Sequence, residues 1–307
     1  MRRVIDSSID LDIRSIIFIG GGEPLLYPKI FDLISYTYSK GITSVLFTNG
    51  SALGDERLSK SLFKKDCKDV VKFLFYHDVS IILKADTFDN YLYDKIVGRN
   101  NAHKVFRKSL SNIIKIYRKS FKYSKKKLRI GLATVLMKSN KKESSAIWKF
   151  ARDNNLFPHF EPVGYEGRAK KYFKDIGLSK KETILLYNKL SKIDKEKYNI
   201  NWDPDIALPA YNCQQLRYSV YISSNGIVQP CNGISIKCGN IRNSNIKNIL
   251  NHPILKKTRN IYHYINDYCR NCIRYGKCYG CQGRAYNIGG GLFEIDPFCS
   301  KKFIKLK

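Results

Sequence analysis

Short apolar runs alternate along the chain with stretches whose apolar residues recur every three or four positions. The runs "SIIFI" (15–19), "SVLFT" (44–48), "SIILKA" (80–85) and "RIGLATVLM" (129–137) have the length and β-branched content of buried strands. "FPHFEPV" (157–163) closes the series as a further extended segment. Between them "KIFDLISYTYSKG", "NYLYDKIVG", "KVFRKSLSNIIKIYRK" and "KESSAIWKFARDNN" carry helical spacing, and Gly41 stands just past the end of the first. Apolar strands alternating with amphipathic helices predict an α/β fold, a parallel sheet covered by helices. Such sheets take ligands at the carboxyl ends of their strands, so the residues just after each run are candidates for function.

A further helix is predicted over roughly Lys180 to Lys195. From about Trp202 the texture changes: Pro, Gly, Asn and Cys dominate and long helical patterns are scarce. "YSVYISSNGIVQPC" reads as a hairpin turning at Asn225-Gly226. A domain boundary is expected near 200, separating 1–200 from 201–307.

The 307 residues include 55 Lys+Arg against 26 Asp+Glu, a formal net charge of +29. A field of that sign attracts acidic partners. Most of the lysines are dispersed over helix patterns, as solvated surface charge is; the densest run is "RKSFKYSKKKLR", Arg118 to Arg129. No nucleic-acid-binding motif accompanies the charge, so nucleic acid ranks behind an acidic peptide as partner. No apolar run is long enough to span a bilayer, and "MRRVIDSSIDLDIRS" has no apolar stretch after its arginines. The expected compartment is the cytoplasm, without membrane contact.

Nine cysteines leave one over from any full disulfide pairing. "CRNCIRYGKCYGC" places Cys269, Cys272, Cys278 and Cys281 within thirteen residues, as C-x2-C-x5-C-x2-C. Two thiolates from one tight turn reach a common metal centre, and Gly276, Gly280 and Gly283 let the backbone wrap it. Structural zinc, iron–sulfur ligation and a metal-free cysteine-rich fold all meet this spacing. Cys67, far upstream in a helical pattern, reads as a small buried apolar residue.

Cys213, then Gly226 with four residues between it and Cys231, then the cluster, then Cys299 in "DPFC" together resemble the SPASM domain of radical S-adenosylmethionine (SAM) enzymes. The family's cluster ends in C-x3-C, where this chain has C-x2-C. The resemblance implies two auxiliary [4Fe–4S] clusters. Cys269, Cys272, Cys278 and Cys299 match the ligands of the second, and Cys213, Cys231 and Cys281 those of the first. The fourth position of the first is either Cys238 or an open iron. Asp203, Asp205 and Asp296 lie near these cysteines, with surface or turn roles expected for each.

Upstream, "FIGGGEPLLYP" follows the first strand, and three glycines at a strand end open the backbone to a ligand. It resembles the GGEP motif of the radical SAM core, in which Gly21, Gly22 and Glu23 would hold the methionine amino group of SAM. "FTNG", carrying Thr48 and Asn49, and "LKADTFDNYLYDKIVGR", carrying Lys84 and Asp86, match the loops after the next two strands, and "EPVGYEGRA" the end of the last. The implied fold is a partial (β/α)6 TIM-like barrel followed by a SPASM domain. The implied function is oxidative modification of a peptide or protein, which an acidic one would suit, through a 5′-deoxyadenosyl radical, with an external electron donor.

The family's C-x3-C-x2-C motif is absent: no cysteine precedes Cys67. The first twenty residues resemble the tail of a helix and the second barrel strand. Three expectations follow: a fragment lacking the first strand and the SAM-cleaving loop, a chain paired with a separate polypeptide that carries them, or a non-catalytic iron–sulfur scaffold or electron carrier.

Overall fold

The computed structural model describes residues 2–121, 129–202 and 213–299. Most of the basic run Arg118–Arg129, and Asp203 and Asp205, lie outside the described residues.

Every apolar run of the sequence becomes a strand: β1 (Ser15–Phe18), β2 (Thr43–Thr48), β3 (Ser80–Lys84), β4 (Ile130–Leu136) and β5 (Phe157–Pro162). They form one parallel sheet in the order β1-β2-β3-β4-β5. Chain order equals spatial order because a helix follows each strand and returns the chain to the same edge. The register Phe18↔Leu46, Thr48↔Leu83 and Lys84↔Ala133 aligns the carboxyl ends of β1 to β4. β1 ends the sheet, and Ile17 and Ile19 are exposed there.

The helices stop where the sequence stops them. The helix Ile30–Ser39 is followed by Gly41 at φ +70°, and Asn90–Val97 by Gly98 at φ +74°. Ser51–Gly54 lies so close to Ala102–Phe121 that a Cβ on Gly54 would stand 2.1 Å from the Val105 carbonyl oxygen. Arg129, from the basic run, donates to the Phe75 and Val79 carbonyl oxygens and lies over the Phe75 and Tyr117 rings, so it braces the fold rather than offering free charge.

The chain divides into two compact units, Met1–Thr134 with Lys142–His159, and Val135–Lys141 with Phe160–Lys307. The sequence boundary near 200 falls inside the second of these. In the first, Leu25, Ile34, Leu46, Leu74, Ile81, Leu83 and Ile113 are wholly buried. In the second, the helix Lys180–Tyr198 opens on a Ser179–Glu182 capping box, and Tyr187 is buried with its hydroxyl on the Phe160 oxygen. Beyond it the expected hairpin forms, with β6 (Tyr221–Ile222) antiparallel to β7 (Ile227–Gln229) and Gly226 at φ +81°; β8 (Gly239–Asn240) adds a third strand. Two small apolar clusters fill this region, one around Leu216, Ile234, Ile261, Ile265 and Tyr279, the other around Val228, Cys238, Ile246, Ile249 and Leu255. Among the described residues no helix is long and apolar enough to cross a membrane.

Candidate functional site

In the first unit the candidates gather at the carboxyl ends of adjacent strands. After β1, a Cβ on Gly20 would meet the Gly22 oxygen at 2.7 Å, so the turn requires glycine there. Gly21 and Gly22 are exposed and have open space around them. Glu23 caps the short helical turn Pro24–Leu26: its Oε1 accepts from Leu25 N (3.1 Å) and Thr48 Oγ1 (2.6 Å), and its Oε2 from Asn49 N (2.7 Å). The "GGEP" and "FTNG" loops are thereby joined through one carboxylate. Burial pushes the Glu23 carboxyl up, and the Thr48, Asn49 and Leu25 hydrogen bonds pull it back only in part. A carboxylate offers about four acceptor directions. Three are taken, and the remaining one, on Oε2, suits an incoming ammonium group.

After β3, Lys84 Nζ stands 3.2 Å from Asp86 Oδ2, with the Asp86 carboxylate buried and the Lys84 side chain half exposed. Sequence reasoning passed over Glu143, whose Oε2 accepts from Thr87 Oγ1 (2.6 Å), Phe88 N (3.1 Å) and Asp89 N (3.2 Å) and so fixes the loop that carries Asp86.

In the second unit the cysteines sort into two groups. Burial pushes the Cys269 thiol up to about 12, and its further influences are Cys299, Cys278 and Cys272. Burial likewise raises Cys278, again beside Cys299 and Cys272. Burial takes Cys231 to about 12, with Cys281 and Cys213 adding to the rise and the Gly233 N–H opposing it. Burial raises Cys281 too, against the pull of the Arg284 guanidinium. Cys269, Cys272, Cys278 and Cys299 thus stand together, and Cys213, Cys231 and Cys281 stand together elsewhere in the unit. Cys238 is in neither group: it lies in the Val228 cluster, its S–H directed 3.7 Å toward the Ile236 oxygen, and burial alone raises it. Cys67 is buried in the first unit.

Glycine permits the first group. A Cβ on Gly283 would stand 3.2 Å from the Gly233 oxygen, so the turns after Cys231 and Cys281 approach backbone to backbone. Asn287 Nδ2 clamps them, donating to the Gly233 (2.9 Å) and Gly283 (2.7 Å) oxygens. Asp296 opens a turn, as the sequence reading allowed, but is not the surface residue that reading also offered. It is 3% exposed and accepts from Arg284 Nε (2.9 Å), Arg284 Nη2 (2.7 Å), Cys281 N (2.8 Å) and Phe298 N (2.9 Å).

Two features fit these thiols to iron–sulfur ligation. Arg274 N and Gly280 N point at the Cys272 and Cys278 sulfurs from 3.5 and 3.4 Å, the backbone donors that tune cluster sulfur. The buried Tyr279 hydroxyl has no partner of good geometry among the described residues, and Cys213 is the polar group that acts on it most. The Tyr262 hydroxyl is equally unpartnered, with Cys278 among its influences. A buried hydroxyl without an acceptor costs about 1–3 kcal/mol, so each calls for one.

The SPASM family, described as an iron-sulfur cluster-binding domain, matches residues 213–273. Its match begins at Cys213 and takes in both turns of the hairpin region and the first C-x2-C pair. That match and the relatives below support a radical SAM/SPASM family for the chain. Along its length the chain is similar to the AdoMet-dependent heme synthase of Methanosarcina barkeri (strain Fusaro / DSM 804), 22% identical over 93% of this chain and 82% of that protein. A second AdoMet-dependent heme synthase, from Nitratidesulfovibrio vulgaris, is 33% identical over 27% of this chain and 22% of its own length. Among solved structures, that of Streptococcus suis SuiB bound to S-adenosylmethionine superposes with a TM-score of 0.61 at 19% identity, covering 99% of this chain and 69% of that one. This likeness is one of fold.

Two predictions arise here. Tyr279→Phe removes the hydroxyl beside Cys213. The loss of one hydrogen bond of about 0.5–1.5 kcal/mol should move one cluster's midpoint about 20–60 mV more negative in a redox titration, leaving the other in place. Glu23→Gln keeps the shape but removes the charge, and should weaken SAM about 10–100-fold in equilibrium dialysis, the range of a charge-assisted hydrogen bond.

Proposed function

We propose that the chain carries two auxiliary [4Fe–4S] clusters and a SAM site, and serves the oxidative modification of an acidic peptide or protein. Residues 1–200 supply the SAM-binding core in this reading, and 201–307 the auxiliary-cluster domain. The observation that carries it is the gathering of seven cysteines into two groups, each beside a buried tyrosine hydroxyl. SAM held beside a reduced cluster would supply radical chemistry for taking a hydrogen atom from substrate. The protein residues do the positioning: Glu23 and the glycine turn orient the methionine end, and the Lys84–Asp86 pair sits two strands away on the same sheet edge. No cysteine precedes Cys67 in this sequence, so the three-thiolate loop that cleaves SAM in the family is not among these residues. An external donor supplies the electron. The net charge of +29 supports the acidic substrate.

A second reading rests on the similarity to AdoMet-dependent heme synthases: a carboxylate-bearing tetrapyrrole would answer the same positive field. Anaerobic reconstitution with iron and sulfide, followed by SAM dialysis, tests the common part. About eight irons with matching sulfide, and SAM binding sensitive to Glu23→Gln, are expected. Zinc without sulfide overturns the cluster assignment. Clusters without SAM binding turn the reading to an electron carrier or scaffold. Titration of the loaded protein with an Asp/Glu-rich peptide and with an iron tetrapyrrole carboxylate then separates the substrate classes.

A further inference from the structure

The cluster assignment above gives the first cysteine group three thiols, Cys213, Cys231 and Cys281, and the structure removes Cys238 to an apolar cluster. A four-iron cluster presents four irons to its protein. Of the remaining donors near this group, the one the structure places within reach is a carboxylate that neither composition nor spacing singled out.

Glu166 lies on the turn "GYEGRA" that leads into the helix Ala169–Ile176, ahead of Gly167 at φ +51°. The position of its carboxylate is fixed by what surrounds Gly233. A Cβ built on Gly233 would stand 3.2 Å from Glu166 Oε1, 3.5 Å from the Gly283 Cα and 3.8 Å from the Cys231 sulfur. One methyl-sized volume therefore touches the carboxylate, the Cys231 thiol and the backbone two residues past Cys281. Gly233 leaves that volume open; a side chain there would stand between Glu166 and the Cys231 thiol. The Glu166 carboxylate enters no hydrogen bond or ion pair among the described residues, so its oxygens are available. Lys170, one helical turn along, is the cation that acts on it.

We infer that Glu166 is the fourth ligand of the first cluster, its carboxylate oxygen donating a lone pair to the iron that Cys213, Cys231 and Cys281 leave without a thiolate. No bond breaks and no electron is transferred in this step: a carboxylate takes the coordination site that water or an added thiol would otherwise occupy. An oxygen ligand also exchanges more readily than a thiolate on iron. The position is thus closed at rest and yields to a stronger donor.

The inference rests on the iron–sulfur reading, and the test separates the two. The full chain and its Glu166→Gln and Glu166→Cys variants are reconstituted anaerobically and reduced, and electron paramagnetic resonance spectra are taken with and without 2-mercaptoethanol. Glu166 is exposed, so its replacement leaves the fold intact, which circular dichroism verifies. Glu166→Gln should shift the signal of one cluster, and 2-mercaptoethanol at concentrations that leave the unaltered protein unchanged should shift it again. Glu166→Cys should give a signal insensitive to added thiol. Identical spectra and identical thiol response in Glu166→Gln and the unaltered protein overturn the ligand assignment while the clusters stand. Failure of the unaltered chain to take up iron and sulfide overturns both.

Discussion

Asp296→Ala is expected to destabilise the second unit by about 3–5 kcal/mol, the cost of stranding a buried charge. For a unit of this size that lowers the melting temperature by roughly 6–20 °C. The charge left behind is Arg284. Burial alone would push its guanidinium down, yet its two hydrogen bonds to Asp296 hold it well above the usual arginine value. The guanidinium lies 5.1 Å over the Phe298 ring and is buried, so losing the carboxylate leaves its charge without a partner. Asp296 also accepts from Cys281 N and Phe298 N, and its own carbonyl oxygen accepts from Cys299 N at 2.8 Å. One residue therefore holds a cysteine of the first group and the segment bearing the last cysteine of the second. Calorimetry on a pair of variants separates stability from positioning. Replacing Asp296 by leucine and Arg284 by methionine together removes both charges, and such apolar exchanges are often neutral or stabilising. The double variant should recover most of the melting temperature. It should still show an altered first-cluster spectrum, because Cys281 N has lost its acceptor. A double variant with a native spectrum would reduce Asp296 to a purely structural partner.

The sheet was legible from the chain because each of its signals is local. "SIIFI" and "SVLFT" are short apolar runs, Gly41 stops its helix within two residues, and Asn225-Gly226 turns the hairpin in place. The cysteine spacing was legible for the same reason, since C-x2-C is a property of one turn. The sequence hid what depends on partners far apart. Arg284 and Asp296 lie twelve residues apart in no common periodic element, and Asp296 carries the composition of a turn. Glu143 reaches residues more than fifty positions away. Glu166 approaches Cys231 only because Gly233 has no side chain, a fact about volume rather than pattern. Cys238 shows the converse. Its position near the other thiols in sequence made it a candidate ligand, and only its packing against Val228, Ile246 and Ile249 shows it among apolar side chains. Tyr262 and Tyr279 look like ordinary core aromatics until their hydroxyls are counted and found without acceptors.

Replacing Cys269 and Cys272 together by serine should remove about four of about eight irons per chain, and with them the order of the segment that carries the pair. The thiols stand in a region with little else to hold it. Between Cys269 and Gly280 the backbone makes one helical turn, Asp267–Arg270, and a series of reverse turns, and Ile273 and Tyr275 face solvent. The nearby core is the single cluster around Leu216, Ile234, Ile261, Ile265 and Tyr279, against which Cys269 itself packs. Ordering each residue of such a segment costs about 1–2 kcal/mol, and few apolar side chains are available there to offset it. Ligand bonds offset it instead, so metal binding and folding of the segment are one equilibrium. Limited proteolysis should therefore cut the double variant, and the metal-free unaltered chain, between 269 and 281, at a rate well above that of the loaded protein. The first cysteine group should keep its iron and its spectrum, because Gly233, Gly283 and Asn287 hold its turns through backbone contacts that the double substitution does not touch. A loaded double variant with full iron content, or a metal-free chain as resistant as the loaded one, would assign the order of this segment to packing alone.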